Sequence, residues 1–161
     1  MNYKKGFTLI ELLVVIAIIG ILSVIVLAAM SNSRRNARDV QRISDLKQIE
    51  TALELYSGSN NYTYPANIYS GSPLASYISA LPVDPSTGAN YNYIGLSLGS
   101  ATGTPCTGYH LGVVLENSSN VVLSGQKDSD YSSATLIPTD RCNAGGGLRF
   151  NGADPVYDIK K

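Results

Sequence analysis

The sequence predicts an α+β protein in which one long amino-terminal helix precedes a small antiparallel β-sheet domain. Nineteen residues from Leu12 to Met30 carry no charge, and residues 40–56 place apolar side chains at three- and four-residue steps. Residues 62–161 instead carry turn-forming residues every few positions, with short β-prone runs between them. At 161 residues the chain has the length of a single domain.

The composition disfavours an enzyme and a nucleic-acid binder. Twelve Lys and Arg residues balance twelve Asp and Glu residues, so the formal net charge is zero and offers no electrostatic support for nucleic-acid binding. One histidine and two cysteines cannot form a Cys/His zinc site, and they leave little material for nucleophilic catalysis. We therefore expect no catalytic residues, and we interpret His110 as an ordinary strand residue.

The first thirty residues predict a retained membrane anchor. Lys4 and Lys5 directly precede the apolar run, as in an export signal whose positive end stays in the cytoplasm. The run is longer than the apolar core of a cleaved secretory signal, so we expect a single membrane pass with the amino terminus inside. Charge counting alone leaves this orientation open, because arginines also follow the run on its other side. These are Arg34, Arg35 and Arg38.

One carboxylate interrupts the apolar amino-terminal segment. Glu11 lies between Leu9-Ile10 and Leu12-Leu13, and an ionised group inside a spanning helix costs about 2.5–3.5 kcal/mol near the bilayer centre. Such a group is expected to have a cationic partner. The alternative is an interfacial glutamate without a special role, whose carboxylate reaches the water.

The segment Gly6–Leu22, GFTLIELLVVIAIIGIL, resembles the type III signal of type IV pilins and type II secretion pseudopilins. The matching positions are Gly6, Phe7, Glu11 and Gly20. The resemblance implies the pilin fold. It also implies that a membrane prepilin peptidase cuts between Gly6 and Phe7 on the cytoplasmic side and methylates the new amino group of Phe7.

The same resemblance implies a structural role. It predicts a subunit of a type IV pilus-like filament, a helical homo-oligomer that is built by an assembly machinery in the bacterial cytoplasmic membrane. The subunit would lie in membrane lipid before assembly and in an extracytoplasmic or cell-surface filament afterwards. The alternatives are a pseudopilin of a type II secretion system, a competence pilus subunit for DNA uptake and, from a different class, a membrane-anchored binding domain.

Four functional segments follow from this interpretation. Residues 1–6 are the leader peptide, and residues 7–30 form the transmembrane and filament-core helix. Residues 31–57 continue that helix in amphipathic form, and residues 58–161 form the β-rich domain. Within the filament-core helix, Glu11 is expected to pair with the Phe7 amine of a neighbouring subunit and so to guide assembly.

The amphipathic continuation presents an apolar stripe that should pack against the sheet. Its members are Val40, Ile43, Leu46, Ile49, Leu53 and Tyr56. The charged residues between them predict an exposed face of mixed sign, which contributes only tenths of a kcal/mol for each favourable pair. They include Arg38, Asp39, Arg42 and Asp45. The turn-forming residues 57–61 predict the end of the helix.

In the carboxy-terminal domain we expect a short helix at Leu74–Leu81 and antiparallel strands after it. The strand candidates are Tyr91–Leu98, Tyr109–Leu115, Val121–Leu123 and Val156–Ile159. Residues 81–88 resemble the proline-aspartate-proline stretch that precedes the first strand in major pseudopilins.

Two further features concern cross-links and metal ions. Cys106 and Cys142 lie 36 residues apart in a domain expected outside the cytoplasm, so they predict a disulfide, with two buried thiols as the alternative. Asp128 and Asp130, with Asp140 further on, could supply oxygen ligands to Ca²⁺, as the final loops of some pseudopilins do. An exposed acidic turn explains them better, and we expect no other cofactor.

Overall fold

The computed structural model describes residues 6–97, 105–124, 142 and 156–161. In chain order, its regular elements are helix α1 (Leu9–Ser59), strand β1 (Asn92–Leu96), strand β2 (Gly108–Val114), a 3-10 helix (Val121–Ser124) and strand β3 (Val156–Lys160). Contacts divide the chain into two compact units, Met1–Ala37 and Arg38–Lys161. One long helix with a small antiparallel sheet is the α+β fold that the sequence predicts. The functional boundaries at residues 6, 30 and 57 stay predictions.

Helix α1 ends inside the predicted stop at residues 57–61. The backbone leaves the helix through two residues in the left-handed region, Asn61 and Tyr62, with φ of 53° and 58°. The Tyr62 N–H donates to the Ser57 carbonyl oxygen at 2.9 Å, and the Asn60 side chain donates to the Tyr56 carbonyl oxygen at 2.8 Å. These bonds satisfy carbonyl groups that the end of a helix leaves open.

The sheet has β2 in its centre, paired antiparallel with β1 on one side and β3 on the other. Tyr93 lies opposite Leu111, and Leu111 lies opposite Ile159. Because side chains alternate along a strand, these three residues share one face of the sheet. That face joins the apolar stripe of α1 in the hydrophobic core of the second unit. The stripe contributes Ile43, Leu46, Ile49, Ala52 and Leu53.

The stripe is shorter than predicted. Val40 is 65% exposed, so burial begins at Ile43. The larger error concerns the charged residues: Asp39, Arg42 and Asp45 are all buried, although the sequence predicted a solvated face of mixed sign. Their partners come from loops that are distant in sequence, as described below.

Two predicted elements of the carboxy-terminal domain are wrong. Val121–Leu123 is part of the 3-10 helix rather than a strand, because the Val122 N–H donates to the Asn120 side chain and the Leu123 N–H to the Asn120 carbonyl. Residues 74–77 form turns rather than a helix, and residues 78–81 are not helical either. A single turn closes where the Ile78 N–H donates to the Leu74 carbonyl oxygen, and Pro82 disfavours helical geometry in the residue before it.

Candidate functional site

The amino-terminal part of α1 has an exposed apolar surface. The described large apolar side chains of residues 7–30 are between 45% and 92% exposed, with Phe7, just before α1, at the upper limit. Contiguous apolar surface of this extent marks contact with lipid or with another protein. By length and composition α1 can cross a membrane.

Glu11 closes a capping box at the start of α1. The Thr8 N–H and the Thr8 hydroxyl both donate to Glu11 Oε2, at 2.8 and 2.7 Å, and the Glu11 N–H donates to Thr8 Oγ1 at 3.3 Å. A Thr followed three residues later by Glu is a recognised signal for a helix start. This pattern stands in the sequence before the apolar run, but the sequence analysis predicts for Glu11 either an assembly role or an interfacial position, and no helix cap. The carboxylate therefore has neutral partners within its own chain and no cation among the described residues.

Gly6 and Phe7 lie directly before this capping box, and both are exposed. A Cβ atom built on Gly6 would meet no atom within 4 Å. The packing of the described chain therefore does not require glycine at this position. The structure thus brings Gly6, Phe7 and Glu11 together on one accessible stretch, with Thr8 as the residue that the sequence-based interpretation missed.

A buried ion cluster lies at the beginning of the second unit, and Arg42 is its centre. The Arg42 side chain is 3% exposed. Its Nε donates to Asp84 Oδ2 at 2.6 Å, and its Nη1 donates to both Asp39 Oδ1 and Glu116 Oε1 at 2.8 Å. Its Nη2 donates to Ser86 Oγ at 2.7 Å and to Asp84 Oδ1 at 3.2 Å. One guanidinium thus joins α1 to two loops.

The carboxylates of this cluster have further partners. Asp39 accepts the backbone N–H groups of Glu116 and Asn117, each at 2.9 Å. Glu116 also receives two hydrogen bonds from the guanidinium of Arg38, at 2.7 and 2.5 Å. Asp84 accepts the backbone N–H groups of residues 86 and 87 within its own turn. Hydrogen bonds from this many partners offset the free-energy cost of burying the charges.

These contacts shift the acidic pKa values downward. Hydrogen bonds from Arg42 hold the pKa of Asp84 well below its usual range, although partial burial acts in the opposite direction. Hydrogen bonds from Arg38, with further ones from Arg42, lower the pKa of Glu116 to about 2. Both carboxylates are therefore ionised at neutral pH, and the cluster binds them in that form.

Three further polar contacts tie α1 to the rest of the second unit. The Tyr91 hydroxyl donates to Asp45 Oδ2 at 2.6 Å, and burial with this neighbouring carboxylate raises the pKa of Tyr91. Further along α1, Glu54 accepts from Lys161 Nζ at 2.6 Å and from the Tyr64 hydroxyl at 3.2 Å. Polar side chains of α1 between Asp39 and Glu54 thus bind partners elsewhere in the second unit.

The two cysteines form the disulfide that the sequence indicates. Cys106 and Cys142 are bonded, with their Cα atoms 4.9 Å apart. Their sulfur atoms lie against Gly95 of β1, where a Cβ atom would approach Cys142 Sγ to 2.8 Å and Cys106 Sγ to 2.9 Å. Gly95 is therefore required by the close approach of the disulfide to the strand.

His110 is a buried strand residue. Its Nε2 atom hydrogen-bonds to the Asp158 carboxylate on the neighbouring strand, and both side chains are fully buried. Neither side chain is accessible to solvent. The calcium option falls on Asp128 and Asp130, which lie outside the described residues. Within the described residues, no three His, Cys, Asp or Glu side chains are grouped to hold a metal ion.

Comparisons with known proteins agree with the amino-terminal motif. Residues 1–27 match the family model described as the prokaryotic N-terminal methylation motif. The chain is 36% identical over 89 residues to type II secretion system core protein G of Escherichia coli (strain K12), a match that covers 55% of this chain and 58% of that protein. It therefore spans little more than half of that relative. No solved structure matches significantly.

Two further relatives with the same name are covered more completely. The protein from Pseudomonas aeruginosa is 32% identical over 106 residues, which is 56% of this chain and 73% of that protein. The protein from Vibrio cholerae serotype O1 is 30% identical over 108 residues, which is 58% of this chain and 73% of that protein. The chain therefore belongs to the family of type II secretion system core protein G, among the pilins and pseudopilins.

Proposed function

We propose that the chain is a structural subunit of a secretion filament of the pseudopilin type, which polymerises through residues 7–30. The observation that supports this most strongly is the exposed apolar start of α1 with a single carboxylate, Glu11, at its beginning. Before assembly, membrane lipid covers this surface. In the filament, the same segments of neighbouring copies cover one another.

The proposed filament requires processing of the amino terminus. A prepilin peptidase cuts between Gly6 and Phe7 and methylates Phe7. The exposure of both residues and the absence of a packing reason for Gly6 support this step, because an external enzyme then explains the glycine. Cleavage removes Lys4 and Lys5, so the formal charge falls from 12 − 12 to 10 − 12, or −2. It also creates a new cation, the amine of Phe7.

Glu11 is the proposed partner of that amine across the subunit boundary. Phe7 and Glu11 lie four residues apart, which corresponds to about 6 Å along a helix. A neighbour displaced along the axis by this distance brings its Phe7 amine level with the Glu11 carboxylate. Away from water the contact between the carboxylate and the amine is strongly favoured, because without it both charges lack a partner. The pair therefore favours the one axial displacement between neighbouring subunits at which the two groups meet.

The relatives favour a secretion role over a surface pilus. The sequence-based interpretation gave a type IV pilus-like filament first and a type II secretion pseudopilin as its alternative. The proteins that match are named for type II secretion, so we place the secretion filament first. A competence pilus would differ in its genome neighbours and in DNA uptake, and a membrane-anchored binding domain would retain its first six residues.

The capping box suggests an experiment that separates two roles of Glu11. A glutamine at position 11 can still accept the Thr8 hydrogen bonds, because Gln serves in a capping box as Glu does. It cannot neutralise an amine. We therefore compare Glu11→Gln with the parent chain in cells that carry the peptidase and the assembly machinery, with Thr8→Val as the matched control that removes the hydroxyl cap but keeps the charge.

Two measurements complete the experiment. Mass spectrometry of the amino-terminal peptide should find methylated Phe7 in all three proteins, and electron microscopy of sheared fractions should find filaments in the parent. We expect Glu11→Gln to be processed but not assembled, and Thr8→Val to retain assembly at a reduced level. Normal filaments from Glu11→Gln would restrict Glu11 to capping, and a parent chain that keeps its first six residues would refute the proposed function.

A further inference from the structure

Two arginines beyond the apolar segment lack a counter-ion among the described residues. Arg34 and Arg35 are exposed on α1, and neither side chain makes a hydrogen bond or ion pair with a residue that the structure describes. The next acidic residue along the helix, Asp39, is occupied by Arg42 and by two backbone N–H groups. By contrast, Arg38 is held by Glu116. The charges at positions 34 and 35 are therefore available to an external anion.

The length of the apolar run indicates where these arginines lie in a membrane. Leu12–Met30 has 19 uncharged residues, about 29 Å of helix, which matches the hydrocarbon core of about 30 Å. Arg34 follows Met30 by four residues, or about 6 Å. The polar headgroup region adds about 5–7 Å on each side of the hydrocarbon. Both guanidinium groups therefore reach the depth of the lipid phosphates.

We propose that Arg34 and Arg35 bind the phosphate groups of phospholipid headgroups on the side of the membrane opposite to Glu11. A guanidinium donates two parallel hydrogen bonds to a phosphate, and arginine is the side chain best suited to that contact. This inference rests on the membrane stage of the proposed function. Cleavage after Gly6 removes Lys4 and Lys5, so the arginines then become the cationic side chains that anchor the span and set its depth.

Solid-state NMR tests the contact directly. The full chain, with its arginines labelled at the guanidinium carbon with ¹³C, is reconstituted in vesicles of phosphatidylethanolamine and phosphatidylglycerol. Dephasing of the arginine carbon signal by lipid ³¹P reports guanidinium–phosphate proximity. We expect dephasing in the parent and loss of most of it in the double variant Arg34→Gln, Arg35→Gln. Arg38→Gln is the matched control, because Arg38 is bound to Glu116, and it should leave the dephasing unchanged.

A second sample distinguishes binding of lipid phosphate from binding of free inorganic phosphate. The parent chain in dodecyl maltoside micelles with inorganic phosphate should show no dephasing, and dephasing there would identify unspecific phosphate binding and overturn the inference. Absent dephasing in the vesicles, or equal dephasing in the parent and the double variant, would overturn it as well. Circular dichroism checks that the variants are folded. Filament formation and cleavage are measured separately, so failure of the lipid contact leaves the proposed function standing.

Discussion

Replacement of Arg42 by methionine is the sharpest perturbation of the second unit. The change removes five hydrogen bonds from a guanidinium that is 3% exposed, while the methionine fills a similar volume. Loss of one partner of a buried ion pair destabilises a protein by about 3–5 kcal/mol, because the other charge remains buried. Here the remaining carboxylates differ in their ability to find new partners.

The residual contacts place the effect at the lower end of that range. Asp39 keeps two backbone N–H donors, and Glu116 keeps Arg38. The Asp84 and Glu116 side chains are 12% and 26% exposed, so water can replace part of what they lose. We expect the free energy of unfolding to fall by about 3 kcal/mol. For a chain of this size that corresponds to a melting temperature lower by about 10 °C.

The assay is urea and thermal unfolding of the full chain in a nonionic detergent, followed by near-ultraviolet circular dichroism of its eleven tyrosines. Arg38→Met is the matched control, because Arg38 is 34% exposed and binds Glu116 alone among the described carboxylates. An ion pair with that exposure contributes about 1 kcal/mol or less. Equal destabilisation by the two variants would refute the assignment of Arg42 as the centre of the cluster.

Three further outcomes follow from the second unit. Glu116 has a pKa of about 2 in the folded protein, below its ordinary value of 4.5. Its contribution to the free energy of unfolding is therefore complete above pH 4.5 and is lost as the pH falls toward 2. A urea unfolding midpoint that stays constant between these two pH values would contradict this prediction. Gly95→Ala should destabilise by about 1–3 kcal/mol through overpacking against the disulfide, whereas Gly58→Ala, with open space around it, should not. Reduction of the disulfide between Cys106 and Cys142 should change the mobility of the protein on a gel and lower its free energy of unfolding by about 4 kcal/mol. Two titratable thiols in the untreated protein would argue against the disulfide.

Local sequence patterns predict the secondary-structure elements of this fold better than they predict which side chains pair with one another. The helix, its end near Ser59 and the strands β1, β2 and β3 all follow from periodicity and turn-forming residues within a few positions. The short run Val121–Leu123 carries no such information, because three β-branched or aliphatic residues fit one 3-10 turn as well as a strand. There the side chain and the backbone carbonyl of Asn120 decide the conformation.

The ion cluster could not be predicted in the same way. A charged residue in an amphipathic helix normally faces water, and nothing near Arg42 in the sequence indicates burial. Its partners Asp84 and Glu116 are 42 and 74 residues away, so only the fold brings them together. The capping box is a different kind of omission, since Thr8 and Glu11 stand at the required spacing and the signal was available.

The distribution of ion pairs bears on what can drive assembly. A pair that is closed within one subunit, such as Arg42 with Asp84, is present both before and after polymerisation, so its energy cancels between the two states. Only charges without an internal counter-ion can favour one state over the other. Among the described residues of the amino-terminal unit these are Glu11, whose partners there are neutral groups of Thr8, and the arginines at positions 34 and 35. If lipid phosphate holds the arginines and a neighbour's amine holds Glu11, the first contact favours the membrane state and the second favours the filament. The balance between them is then set by groups that contribute nothing to the core of the second unit.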